Sequence, residues 1–438
     1  MKDQALNGSI DRQASGIKRT RPFLVLAALL AGLVLGLLAT GSSDGARSFL
    51  VQSAGLIGEL WLDALKMTVI PLVFALLVTG VARSAEAAKA GRVAARTVVW
   101  VVAICTASAV IGALVIQLLL HAFPLSSAAA EALRGAIAAT PAKDAPIAGA
   151  ADVIRAIIPT NVFAAASNGD VLPLVVFAMF FAVAVSRIAV EQRRSLVGFF
   201  EATANALLMI IGWVLWAAPL GVFALAVALA AEAGGAAFAG LAHYVILLCA
   251  VGATVTLLSY PLATLFGGVR LAEYTRAMLP PQSVAISTRS SLASLPAMLT
   301  SARALGVREE VADVTLPIAV ALFRATGPAM NVAVAFYVAH WVGFEPSVAQ
   351  MVAATAVGAV MSYAAVSLPG EVSFISSIAP IAIALGVPVG PLGLLIAVEM
   401  IPDIFRTLGN VSMDVAVTAA VDRSSRQGSA AGDFPDPV

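Results

Sequence analysis

Apolar stretches of about 20 residues that lack any charge constrain this chain more than any other feature. Residues 22 to 41 and 97 to 120 contain no Asp, Glu, Lys or Arg. A helix of about 20 such residues spans the roughly 30 Å hydrocarbon layer of a bilayer and satisfies its own backbone hydrogen bonds there. The two-residue alternation of a barrel strand is absent. Composition agrees: 60% of the residues are hydrophobic and 12% charged, with a mean hydropathy of +0.96, whereas soluble proteins carry about 25% charged residues. The sequence therefore predicts an all-α polytopic membrane protein. A net charge of +1 gives no reason to expect a nucleic-acid partner. Cys105 and Cys249 lie in apolar runs as small buried hydrophobes, and His121, His243 and His340 have no ligand spacing.

Six spans follow from the first part of the chain: residues 22–41, 57–82, 97–120, 171–186, 202–231 and 237–269. A basic cytoplasmic tail, 1–21, precedes them. Basic clusters follow every second span, at Arg83 to Arg96, Arg187 to Arg194, and Arg270 with Arg276. By the positive-inside rule, both termini are then cytoplasmic. Gly32 and Gly36 form a G-x-x-x-G that would let helices approach closely, but with 34 glycines in the chain a chance spacing is the better reading.

Beyond residue 270 the spans are interrupted. Residues 278–299 carry Pro280, Pro281, Arg289 and the hydroxyls of Ser290, Ser291 and Ser294. A hairpin that re-enters from one side keeps Arg276 and Arg303 together. Residues 314–339 cross fully while carrying Arg324 and Gly327-Pro328. The runs 346–370 and 372–398 are split by Ser367-Leu368-Pro369-Gly370-Glu371. Two ordinary spans and a second hairpin satisfy sidedness equally, but the breakers favour the hairpin, because non-helical backbone at depth persists only against protein or a water-filled cavity. A pair of broken segments is the pattern of a secondary transporter with inverted repeats.

The last span, 398–421, carries Glu399, Asp403, Arg406 and Asp414 with Thr407 and Asn410. At about 100° per residue, positions 399, 403, 407, 410 and 414 share a stripe roughly 80° wide, with 406 at its edge. A charge at the bilayer centre costs at least about 2.5 kcal/mol, so this face must turn to a pathway or a binding site. A guanidinium matches a carboxylate with a two-pronged fork. Asp403, one turn away, supplies the opposite pole for a zwitterion, although at i, i+3 the two side chains can instead pair with each other.

These residues resemble the dicarboxylate/amino acid:cation symporters, the family that includes the glutamate transporters. The likeness runs from residue 22 to 424. It is carried by L-K-M-T-V-I-P-L-V-F at 65–74, I-P-T-N-V-F-A-A-A-S-N-G-D-V-L-P at 158–173 and T-R-S-S-L-A-S-L-P at 288–296, then by L-P-G-E at 368–371. The most specific motif is D-I-F-R-T-L-G-N-V-S-M-D at 403–414. The resemblance implies eight transmembrane helices plus two re-entrant hairpins in a glutamate-transporter-like elevator fold, assembled as a homotrimer in the cell membrane. Residues 22–270 would be mainly scaffold, with spans 3 and 6 moving with a transport core at 271–421, and 422–438 would be a disordered cytoplasmic tail. It implies that Arg406 holds a side-chain carboxylate of the solute and Asp403 its ammonium group. Asn410 and the backbone at Ser290 and Ser291 would hold the α-carboxylate, with Thr407, Ser367 and Gly370 completing the site.

The sequence also departs from the family. Where the seventh span has Asn-Met-Asp-Gly-Thr, this chain has Arg324-Ala325-Thr326-Gly327-Pro328, and the nearest counterpart of the third-span hydroxyl pair is Cys105-Thr106. A guanidinium has only donors, and sodium needs oxygen atoms. Asn410 and Asp414 remain as weak sodium candidates, so sodium coupling is expected to be reduced or lost, with proton coupling as the other possibility. Glu399, Asp403 and Asp414 against Arg406, Arg289 and Arg324 sum to zero. One reading makes Arg324 a tethered cation paired with Asp414, and another pairs it with Glu371. Glu371 itself is either a proton carrier or a gate residue. The expected function is secondary transport of a small acidic solute, aspartate or glutamate, with a C4-dicarboxylate or a transport-deficient receptor or anion leak as alternatives. An enzyme is not expected, because the chain has no histidine or lysine in register with Ser290 or Ser291.

Overall fold

The computed structural model describes residues 22–41, 43–89, 91–127, 158–168, 170–322, 324–364 and 370–430, and among them there is no strand. Five of the described helical stretches are long and apolar enough to cross a membrane, and shorter apolar helices accompany them. The first group comprises α1 (Pro22–Ala39), α2 (Asp44–Lys89), α4 (Val162–Asn168), α5 (Val171–Val185), α6 (Val190–Trp216) and α7 (Ala218–Ala233). Here α2 packs against α5, α6 and α7, and α1 lies along α7. The cytoplasmic tail expected at 1–21 lies outside the described residues.

Three features of this group differ from the sequence reading. The second span is one helix of 46 residues, extending well beyond 57–82 at both ends. At 1.5 Å per residue it is about 69 Å long, roughly twice the hydrocarbon thickness. The run 202–231 is broken at Ala217, two residues before Pro219, because the proline ring has no N–H and collides with the preceding turn. Gly32 and Gly36 are not a chance spacing. A Cβ on Gly32 would stand 2.5 Å from the Phe223 carbonyl oxygen, and one on Gly36 would stand 2.5 Å from that of Val227. The two glycines let α1 lie against the backbone of α7.

The second group holds α3 (Arg92–Ala122), α8 (Ala236–Leu265), α9 (Leu271–Thr288), α10 (Ser291–Ala304), α11 (Glu309–Leu322) and α12 (Thr326–Val342). It continues with α13 (Val348–Ala364), α14 (Gly370–Leu385), the short turn α15 (Leu392–Leu395) and α16 (Met400–Ala430). The α9/α10 pair folds back on itself at Arg289-Ser290, and α13 packs along α14 in a second helical pair. Spans 3 and 6, seen here as α3 and α8, join this group: α3 packs on α12 and α13, and α8 on α16. From Thr326 to Ala339 every residue of α12 is buried, so the helix is apolar on all sides and sits at the centre of the fold.

The seventh span is two helices: α11 ends at Leu322 and α12 begins at Thr326, just ahead of Gly327-Pro328. The last helix continues to Ala430, so residues 422–430 are helical rather than part of a disordered tail; 431–438 lie outside the described residues. Asp422 anchors the extension. It accepts from Arg308 at 2.7 Å and pairs with Arg426, one turn on, at 2.7 Å.

A candidate solute-binding site at the hairpin tip

The polar stripe of the last span begins one turn before its helix. Glu399 lies in the turn leading into α16, yet its carbonyl oxygen accepts from the Asp403 N–H at 2.8 Å, so it keeps its helical register with the stripe. Arg406 reaches back to it. Arg406 Nη2 donates to Glu399 Oε1 at 2.5 Å, Nη1 donates to Asn331 Oδ1 of α12 at 2.7 Å, and Nε stands 3.8 Å from Asp403. Tyr244 Oη of α8 donates to the other Glu399 oxygen at 3.3 Å. Burial in low dielectric strengthens these charge-assisted bonds and makes each partner costly to remove.

Asp403 is shared with the first hairpin. Arg289 lies 3.8 Å from its carboxylate and has φ 51°, the one left-handed residue other than glycine among the described residues. A side chain in that region costs on the order of 1 kcal/mol and tends to mark a functional site. Ser290 caps α10, its Oγ accepting from the Ala293 N–H at 3.2 Å, and Ser294 Oγ donates to the Ser290 carbonyl at 3.0 Å. The hairpin is clamped to α16 by Tyr274, whose Oη donates to the Ser412 carbonyl at 2.6 Å, and by Gln282, which donates to Ser412 Oγ at 3.0 Å. Ser290 and Ser291, half-buried, are thus brought to the end of α16 that carries Asp403 and Arg406.

The other candidates divide in two. Thr407 donates its hydroxyl to the Asp403 carbonyl at 2.9 Å, so toward a solute it offers only lone pairs. Gly370 begins α14, while Ser367 and the Glu371 side chain lie outside the described residues. Asn410 Oδ1 accepts from the Thr326 N–H at 2.9 Å and pins the seventh-span break against α16.

Arg324 stands within electrostatic range of Arg406 and Asp403. It does not pair with Asp414, as the tethered-cation reading expected. Both Asp414 oxygens are buried and without a hydrogen-bond partner among the described residues. At the hairpin tip Arg406 and Arg289 meet Glu399 and Asp403, and Asp414 lies 11 residues beyond Asp403, about 16 Å along the helix. The third-span partner is also corrected. Thr106 is exposed and donates to Val102 of its own helix, whereas Ser108, one turn below Cys105, is buried and donates to the Ala325 carbonyl at the break.

An isolated ionised carboxylate at the Asp414 site would cost several kcal/mol unless a proton or a cation completed it. Replacing Asp414 with Asn is expected to leave the melting temperature unchanged or raise it in sodium-free buffer, and to abolish any stabilisation that sodium gives the wild type. A fall of several degrees in a thermal-shift assay would show that the ionised form is compensated by another group.

Sequence reasoning missed Asn331, Tyr244 and Ser108. Ser108 was in principle visible, since residues 105, 108, 109, 112 and 116 follow the helical period of a buried face. Asn331 and Tyr244 are single polar residues in apolar helices, and only packing selects them.

Comparison with known proteins now adds to the geometry. The family model described as the sodium:dicarboxylate symporter family matches residues 22–424. The chain belongs to this family. This symporter-family chain is 25% identical over 398 residues to the proton/glutamate-aspartate symporter of Escherichia coli (strain K12), covering 90% of each chain. It is 26% identical to the proton/sodium-glutamate symport protein of Bacillus caldotenax, covering 88% of this chain and 90% of that one. It is also 26% identical to the C4-dicarboxylate transport protein of Anaeromyxobacter dehalogenans (strain 2CP-C), covering 96% of each. Membership identifies the chain as one of a family of transporters, which agrees with the expectation of secondary transport and with both cargo alternatives.

Proposed function

We propose that this protein is a secondary transporter of a small solute bearing two carboxylates, bound between the first hairpin tip and the start of α16. The observation that carries this reading is the buried Arg406 fork, held toward the tip by Glu399 and Asn331 and joined to the hairpin through Asp403 and Arg289. An incoming carboxylate finds an oriented guanidinium there and a helix start at Ser290. The relatives named for glutamate, aspartate or C4-dicarboxylates support the same solute class.

A C4-dicarboxylate without an amine is the reading favoured by the placement of Arg324. Asp403 is already flanked by Arg289 and Arg406, with Arg324 in range, so little of its charge is left for an ammonium group. The second arginine offers a second carboxylate its own pole. The alternative cargo is aspartate or glutamate, for which Asp403 keeps its role.

In this reading the helices packed on α16 and α12 move as one body against α1, α2 and α5 to α7, within a homotrimer whose termini face the cytoplasm. Between α5 and α13 lies an open apolar groove of about 310 Å3, lined by Leu172, Met179, Phe180 and Val357 among others. Sodium coupling is weakened, because Arg324 replaces an oxygen donor and Asn410 Oδ1 is engaged by Thr326.

Uptake of labelled succinate and labelled aspartate into proteoliposomes, under separately imposed sodium, proton and electrical gradients, tests cargo and coupling together. Accumulation of either solute is expected, with succinate the better competitor, and Arg324→Gln is expected to weaken succinate about 10-fold or more relative to aspartate, an energy difference of about 1.4 kcal/mol. No binding and no flux of either solute would overturn the reading.

A further inference from the structure

Arg406 cannot serve a solute carboxylate with its whole fork while Glu399 holds Nη2. Glu399 is 5% exposed, and Arg406 is the one cation within ion-pair distance of it among the described residues. Asp403 differs: it lies near both Arg406 and Arg289, and its side chain is more open, at 16% against 6%. If a solute carboxylate takes Arg406, Asp403 keeps Arg289, whereas Glu399 is left in an apolar setting with Tyr244 as its remaining partner.

We propose that Glu399 is the proton carrier of this transporter: its carboxylate occupies Arg406 when the site is empty, and it takes up one proton when the solute carboxylate displaces it. This rests on the solute-binding reading given above. The step balances simply. The Glu399 to Arg406 ion pair breaks, an O–H bond forms on the Glu399 carboxyl with a proton from the solvent that admits the solute, and the proton leaves when the solute does. An ionised acid buried without a counter-charge costs several kcal/mol, so solute and proton bind together.

The charged and titratable groups around Glu399 fit one carrier. Arg406 and Asp403 lie on its own segment, Tyr244 and Cys249 face it from α8, and Tyr337 of α12 packs edge-on to Tyr244. Arg324 at the seventh-span break and Arg289 at the hairpin tip add positive charge on the Asp403 side. Tyr244 donates to Glu399 Oε2, so a proton on Oε1 leaves that hydrogen bond intact.

The test is binding of succinate and L-aspartate to the purified full-length protein by calorimetry, from about pH 6.5 to about pH 8.5, above the ordinary carboxylate range. One linked proton predicts that Kd weakens about 10-fold per pH unit through the upper part of this range, and that Glu399→Gln flattens the slope. In wild type, titration in buffers of different ionisation enthalpy should give uptake of about one proton per solute. That measurement holds even if the variant does not fold. A pH-independent Kd with no proton uptake overturns the proposal, as does a slope that survives in Glu399→Gln but disappears in Glu371→Gln. Absence of binding at every pH would instead overturn the solute-binding reading itself.

Discussion

Replacing Arg406 with lysine should abolish measurable solute binding. Lysine keeps the charge but not the planar fork, so it cannot hold Asn331 Oδ1 together with Glu399 in the empty site, or with an incoming carboxylate once Glu399 has left. The loss expected is at least about 100-fold in Kd, or roughly 2.7 kcal/mol. Arg406→Ala should in addition reduce stability by about 3 to 5 kcal/mol, because it strands Glu399 in the interior without its cation. Pairing Arg406→Met with Glu399→Gln should recover much of that stability without restoring binding. Chemical or thermal unfolding of the three variants in detergent checks the first part, and calorimetry with succinate and aspartate checks the second. Solute recognition that survived in Arg406→Ala would mean that the binding site lies elsewhere.

Replacing Gly112 with valine should disrupt the packing of α3 against α12. A Cβ at Gly112 would stand 2.3 Å from the Ala329 carbonyl oxygen and 2.4 Å from its Cα, atoms of backbone that cannot rotate away. Overpacking of this kind costs about 1 to 3 kcal/mol, and more where the neighbour is main chain. The displaced helix is α12, which begins at the break that Asn410 and Ser108 hold, so solute binding should fall with stability. Gly198, on α6, has no atom within 4 Å of its would-be Cβ, and Gly198→Ala should be neutral or stabilise by up to about 1 kcal/mol. A thermal-shift comparison of the two variants, with expression level as a second readout, separates them. Equal melting temperatures would contradict the close approach of α3 to α12.

Much of the fold was legible in the order of residues because a bilayer leaves so few options. Uncharged runs must be helices, basic clusters mark one side, and proline or glycine at depth marks a break. The first hairpin and the charged face of the last helix followed from those rules, whereas the seventh span, read as one full crossing, is two helices that meet ahead of Gly327-Pro328. What failed was local. The glycine pair at 32 and 36 looked like chance because nothing in one helix says which neighbour it meets. Thr106 looked like the third-span hydroxyl because it follows Cys105, whereas the helix turns it outward and brings Ser108 in.

The charges show the same division. Their presence in the last span, and the need for partners, are properties of the sequence, since desolvation penalises an ionised side chain in lipid whatever surrounds it. Which charges meet is decided by distances between helices. Arg289 reaches Asp403 only because the hairpin doubles back at a left-handed residue. Arg406 turns to Glu399 and Asn331 because α12 is buried beside α16. Asp414, about three turns beyond Asp403 along the helix, is out of reach of that cluster and has no hydrogen-bond partner among the described residues.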